Sequence, residues 1–87
     1  MNSNNKKTME LVFKNPIQAD IQWSDIERLF AALGAEKSEG RGSRVRFKLN
    51  GIRAVFHRPH PEKTAAKGAV NSVRRFLENA GVNYDGI

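Results

Sequence analysis

Residues 43–49 alternate between polar and apolar side chains, residues 52–57 do so again, and Asn50-Gly51 lies between the two runs. Successive side chains of a strand point to opposite faces. Val45, Phe47 and Leu49 therefore share one side of the first run, and Arg44, Arg46 and Lys48 the other. Asn-Gly between two alternating runs is the strongest short hairpin signal, because a two-residue type I′ turn needs positive φ at both positions. That turn sets the pairing. Leu49 then faces Ile52, Phe47 faces Ala54 and Val45 faces Phe56 on the buried side. Lys48 faces Arg53, Arg46 faces Val55 and Arg44 faces His57 on the other.

Helical spacing replaces alternation on either side of the hairpin. Ile26, Leu29, Phe30 and Leu33 form one apolar stripe. Ser24 and Glu27 fit a capping box ahead of it, and Gly34 supplies the left-handed residue that ends the helix. A second helix is expected over residues 62–80, with Ala66, Ala69, Val70, Val73, Phe76, Leu77 and Ala80 as its stripe and Gly81 as its stop. Residues 1–7 read as a frayed tail. Residues 8–14 suit two helical turns, closed by Asn15-Pro16 because proline disfavours a helical residue before it. A polar connector then runs to Trp23. Residues 35–37 fit a short edge strand, residues 39–43 a flexible turn, and the C-terminal tail irregular chain. No internal repeat or low-complexity block interrupts this order.

The predicted fold is α+β in the order α-β-β-β-α, with two helices on one face of a three-stranded antiparallel sheet. Its organisation is an extension over residues 1–23, a domain over 24–82 and a tail over 83–87. The other face of the sheet is wet, and it is the basic one. Like charges placed directly opposite each other on a sheet are destabilising, so stability alone would not select this pattern.

Composition sharpens that point. The 87 residues carry a formal net charge of +6 with a pI near 10.2, which suits a polyanionic partner. A surplus of charge can also serve solubility alone, so its placement decides between the two. The absence of cysteine removes disulfides and thiolate chemistry, and leaves zinc only two histidines and carboxylates. No apolar run reaches the roughly 20 residues of a membrane span, and the first residues lack the apolar core of a secretory signal. Cytoplasmic residence is the expectation.

Residues 25–47, the hairpin, His57-Arg58-Pro59-His60-Pro61 and residues 67–82 together resemble the HicA toxins of bacterial toxin–antitoxin pairs. The shared features are the helix ending in Leu33-Gly34, Gly42-Ser43 opening a strand, Pro59-His60-Pro61, Lys67-Gly68 opening the last helix and Ala80-Gly81 closing it. That family's fold resembles a double-stranded-RNA-binding domain, in agreement with the order above. The resemblance implies a ribosome-independent mRNA endonuclease that needs no metal or small-molecule cofactor and is neutralised by a HicB-like antitoxin. The family usually carries a histidine directly after Gly-Ser or one position later. Arg44 and Val45 stand there in this chain, so that histidine is not carried over by position.

Metal-free RNA cleavage needs a base for the ribose 2′-hydroxyl, an acid for the leaving oxygen and cations around the phosphorane. Imidazole, with an ordinary pKa of ~6.5, can move protons at neutral pH. Guanidinium, above ~12, is a poor proton donor but stabilises phosphoryl charge. His57 is the candidate for the missing role, within ~5.5 Å of Arg44 between backbone positions of an opposed pair. Its other reading is a solvated strand residue. Arg44 completes the catalytic pair. Arg46, Lys48, Arg53 and Arg58 are candidates for RNA phosphates.

His60, between prolines, either joins the catalysis or is structural, its ring capping the last helix or packing in the turn. Lys67 and Gly68 lie where free helical N–H groups favour a phosphate, although Gly68 equally suits close helix–sheet packing. Trp23 either stacks a base or covers the edge of the core, the latter being commoner just before a helix. The functional alternatives are a toxin ribonuclease acting on mRNA, an inactive RNA-binding module of the same fold, and a piece whose basic face docks an acidic antitoxin. A DNA-reading helix fits poorly, because Arg74-Arg75 near a helix end has only Asn71 for company among amide side chains useful for reading bases.

Overall fold

A computed structural model of the chain describes residues 1–84. The elements are α1 (Ser3–Phe13), β1 (Ile21–Gln22), α2 (Trp23–Ala32), β2 (Glu36–Glu39), β3 (Arg44–Leu49), β4 (Ile52–His57), β5 (Thr64–Ala65) and α3 (Lys67–Asn79). β2, β3 and β4 form the antiparallel sheet in that order. The α+β class and the helix–strand–strand–strand–helix core are as the sequence pattern predicts. Residues 82–84 lie outside helix and strand; the remainder of the expected irregular tail, residues 85–87, lies outside the described residues.

The hairpin register is the predicted one: Leu49 opposite Ile52, Phe47 opposite Ala54, Val45 opposite Phe56 and Arg44 opposite His57. Asn50 at φ 50° and Gly51 at φ 82° both adopt the left-handed conformation that the type I′ turn requires. Asn50 also donates from Nδ2 to the Ala80 carbonyl at 2.7 Å, which ties the turn to the end of α3.

The sheet's apolar face carries Val45, Phe47, Leu49 and Phe56 into the core. Phe30 of α2 is fully buried at its centre, with ring centroids 4.7 Å from Phe47, 5.7 Å from Phe56 and 5.3 Å from Phe76. Tilted and edge-on pairs at such spacings add directional attraction to the burial itself. Trp23 belongs to this core at 6% exposure, its ring 5.7 Å from that of Phe56.

Several local expectations are corrected. The first residues are not frayed: α1 starts at Ser3, because the Asn2 side chain accepts from the Asn5 N–H at 2.8 Å and caps it. α1 packs against α2 and α3, with Met9 and Val12 in the core. Arg74 of α3 closes its far end, donating to the carbonyls of Val12 (2.8 Å) and Lys14 (2.6 Å) and to Asn15 Oδ1 (3.0 Å). The Ser24–Glu27 capping box does not form. α2 begins one residue earlier, at Trp23, with Gln22 at the N-cap and no side-chain cap bond. α3 begins at Lys67 rather than at residue 62, because Thr64–Ala65 pairs with Ile21–Gln22 in a second, two-stranded sheet. Gly68 is not a packing glycine, since a Cβ there would meet nothing within 4 Å.

Candidate nucleic-acid interface

Alternation decides what the sheet offers to solvent. On β3 and β4 the exposed side chains are Arg44, Arg46, Lys48, Arg53, Val55 and His57. β2 extends this face by placing Glu36 beside Lys48 and Ser38 beside Arg46. Glu36 is thus the acidic member of an otherwise cationic surface, and Val55, at 55% exposure, is its apolar centre. A trough of about 390 Å³ runs over this face between Glu36, Ser38, Arg46, Lys48, Arg53 and Val55. Arg46 reaches across β2 and donates to the Glu39 carbonyl at 3.2 Å.

Arg44 and His57 end the hairpin. The Arg58 N–H donates to the Ser43 carbonyl at 2.9 Å, one rung beyond them. Arg44–His57 is therefore a pair without mutual backbone hydrogen bonds, the kind whose Cα atoms come to about 4.5 Å and whose side chains lie closer together. Gly40 allows the neighbouring chain to pass here: it donates to the Arg44 carbonyl at 3.0 Å, and a Cβ on it would sit 2.8 Å from that of Arg44.

His57 and His60 are both exposed and line one shallow depression of about 380 Å³ with Asp20, Glu62, Thr64 and the first residues of α3. Lys67 opens that helix and is exposed beside the depression, while the helix N-cap, Ala66, supplies no side-chain cap. The structure thus brings His57, Arg44 and His60 to one end of the basic face. Among the described residues no cluster of histidines and carboxylates suited to a metal ion is present.

Arg58 goes elsewhere. It follows His57 in an alternating strand, so it leaves on the opposite side, where it bridges two carboxylates. Its Nε lies 2.8 Å from Glu27 Oε2, and its Nη1 and Nη2 reach Glu39 at 2.6 and 2.9 Å. Lys37 approaches Glu27 to 3.6 Å, and the indole N–H of Trp23 donates to the same carboxylate. Burial pushes the Glu27 carboxyl up, but the hydrogen bonds from Arg58 and Trp23, together with the charges of Arg58 and Lys37, outweigh it and hold the group below its ordinary value. Hydrogen bonding from Arg58 likewise lowers Glu39, and the two carboxylates, Glu39 foremost, raise the guanidinium above its usual value.

This network was missed by the sequence reading, which assigned Glu27 to a cap and Arg58 to RNA. Period-two counting past His57 was the signal that could have found it. Beside the network lies the largest of the described depressions, about 560 Å³, lined by Trp23, Ala31 and Pro59 with Gln22, Ser24, Arg28, Lys37 and Lys63 around them.

A family model described as "HicA toxin of bacterial toxin-antitoxin" matches residues 23–82 of the chain. No curated protein and no solved structure matches it.

Proposed function

The chain belongs to the HicA toxin family and is the toxin of a bacterial toxin–antitoxin system, with an antitoxin as its partner; from that premise we infer that it is a metal-independent mRNA endoribonuclease neutralised by an acidic, HicB-like antitoxin. One observation carries this reading: the sole histidines of the chain share a depression at the end of a cationic sheet face, with an arginine directly opposite one of them.

RNA lies along that face with its phosphates against Arg44, Arg46, Lys48 and Arg53, and with Lys67 beyond the histidines. His57 takes the proton of a ribose 2′-hydroxyl, whose oxygen attacks the adjacent phosphorus. Arg44 holds the charge that builds on the phosphorane, because a guanidinium fork matches phosphoryl oxygens and costs no reorganisation as the charge develops. His60, from the same depression, donates a proton to the departing 5′-oxygen. The products are a 2′,3′-cyclic phosphate and a 5′-hydroxyl, and the protons balance between the two imidazoles. The same positive face suits an acidic antitoxin, whose charge complementarity speeds encounter.

Arg44 at the position where the family usually carries histidine favours a second reading, an inactive RNA-binding module, because guanidinium does not exchange protons near neutral pH. Incubation of the purified protein with a defined RNA in EDTA separates the two. Cleavage into cyclic-phosphate ends, abolished when the ribose at the cut site is 2′-deoxy and reduced about 10- to 100-fold in Arg44→Ala, is the result expected of the ribonuclease. RNA that is bound but stays intact would establish the second reading.

A further inference from the structure

The basic sheet face has a limitation as an RNA site. Val55 is its only exposed large hydrophobic among the described residues, and the one aromatic ring exposed on β3 and β4 is the His57 imidazole, which the ribonuclease reading engages in proton transfer. Recognition of unpaired bases relies on stacking surfaces and on polar groups at the base edges. With His57 engaged in proton transfer and the guanidiniums on phosphates, the face holds a backbone better than it seats a base.

The depression lined by Trp23, Ala31 and Pro59 has what the sheet lacks. Its volume of about 560 Å³ lies within the range of small-molecule sites. Trp23, Ala31 and Pro59 give it an apolar part, and the paired Glu27 and Arg58 also line it. Gln22 and Ser24 on its rim carry an amide and a hydroxyl that no hydrogen bond engages within the described residues, and both side chains are exposed. Arg28 is taken up by Asp25 at 2.9 Å, and Arg58 by Glu27 and Glu39. Lys37 keeps only a 3.6 Å contact with Glu27, and Lys63 has no ion-pair partner among the described residues. Two ammonium groups are thus available to phosphates at its edge. Pro59 lines both this depression and the one holding His57 and His60. It is the one residue common to the two linings, so the depressions adjoin there.

Resting on the ribonuclease reading, we propose that this groove seats an unpaired nucleobase next to the scissile phosphate, so that the substrate class is single-stranded RNA rather than duplex. The base lies over Ala31 and Pro59, against the little of Trp23 that is exposed (6%), its edge meets Gln22 or Ser24, and the flanking phosphates pair with Lys37 and Lys63. A base in a duplex stays stacked on its neighbours and cannot enter. Selection therefore comes from strandedness at the groove, while the sheet face supplies affinity.

The protein's single tryptophan lines the groove and reports its occupancy. The full chain is titrated with a short RNA fully 2′-O-methylated to prevent cleavage, with binding followed by anisotropy of a label on the RNA and by Trp23 emission. Emission is expected to change saturably, with the midpoint given by anisotropy, and to stay flat with a blunt duplex of the same sequence. Lys63→Glu should weaken single-strand binding about 10-fold. Ala31→Phe, a change at an exposed helix position that fills the groove, should abolish the emission response while circular dichroism stays that of the parent. RNA that binds without altering Trp23 emission, and binds both variants as it binds the parent, overturns the groove and leaves the ribonuclease reading standing. An equal response to the duplex also overturns it. Failure to bind either RNA removes both proposals.

Discussion

Arg44 and His57 meet at the hairpin's open end, and what lies beside them is as constrained as they are. Gly40 approaches Arg44 so closely that an added methyl would fall 2.8 Å from its Cβ, inside van der Waals contact. The strain falls on backbone hydrogen bonded to Arg44, so the strand end must move to relieve it. Gly40→Ala should cost about 1–3 kcal/mol, the range for overpacked sites, measured by urea unfolding. It should also lower RNA cleavage more than a control substitution of equal destabilisation in the core. Cleavage reduced only in line with stability would mean that Arg44 needs no fixed position.

Among the elements, the Glu27 cluster joins α2, β2 and the segment leaving β4. Glu27→Ala strands the indole N–H of Trp23, a residue 6% exposed, and an unpaired buried donor costs about 1–3 kcal/mol. A lowered midpoint in denaturant, without change in slope, is the expected result. Glu27 and Glu39 both titrate below their ordinary 4.5 in the folded chain. Their contribution is therefore complete above that pH and disappears as the pH falls through their folded-state values. Acid unfolding should be steeper below about pH 4.5 in the parent than in Arg58→Ala, which is already weakened at neutral pH.

The same elements show what a linear pattern can and cannot convey. The hairpin was legible to the residue because Asn50-Gly51 fixes the turn and alternation fixes the faces. The stripes of α2 and α3 were legible because their apolar residues recur at helical spacing. α1 was half hidden: its first turn depends on the Asn2 side chain and buries Asn5 and Thr8, polar residues that resemble a tail in sequence. β1 and β5 are two residues each, too short for any period. The candidate site was legible where it follows strand alternation, at Arg44 and His57, and illegible where it depends on non-local ion pairs. Arg58 bonds residues 31 and 19 positions away, and no local pattern announces either partner.

For the whole molecule, +6 net charge is a statement about association rather than fold. Binding of single-stranded RNA should weaken with salt by about 0.7 log units per phosphate neutralised, for each tenfold rise in salt. Arg44, Arg46, Lys48, Arg53 and Lys67 together predict a log–log slope of about −3 to −4, and Lys37 and Lys63 at the groove carry it to about −5. Replacing Arg46 or Lys48 by alanine should reduce that slope by about 0.7. Arg74→Ala should leave it unchanged and lower stability instead, because that guanidinium holds the end of α1. Equal slopes for all three variants would mean that RNA does not lie on the sheet.

The most direct measurement is the single-turnover rate of RNA cleavage in EDTA by the parent and by His57→Ala, each shown to be folded by circular dichroism. Loss of a positioned acid–base group predicts a fall of about 10²- to 10⁴-fold with RNA affinity little changed. A well-folded His57→Ala protein that cuts at the parental rate would contradict the account.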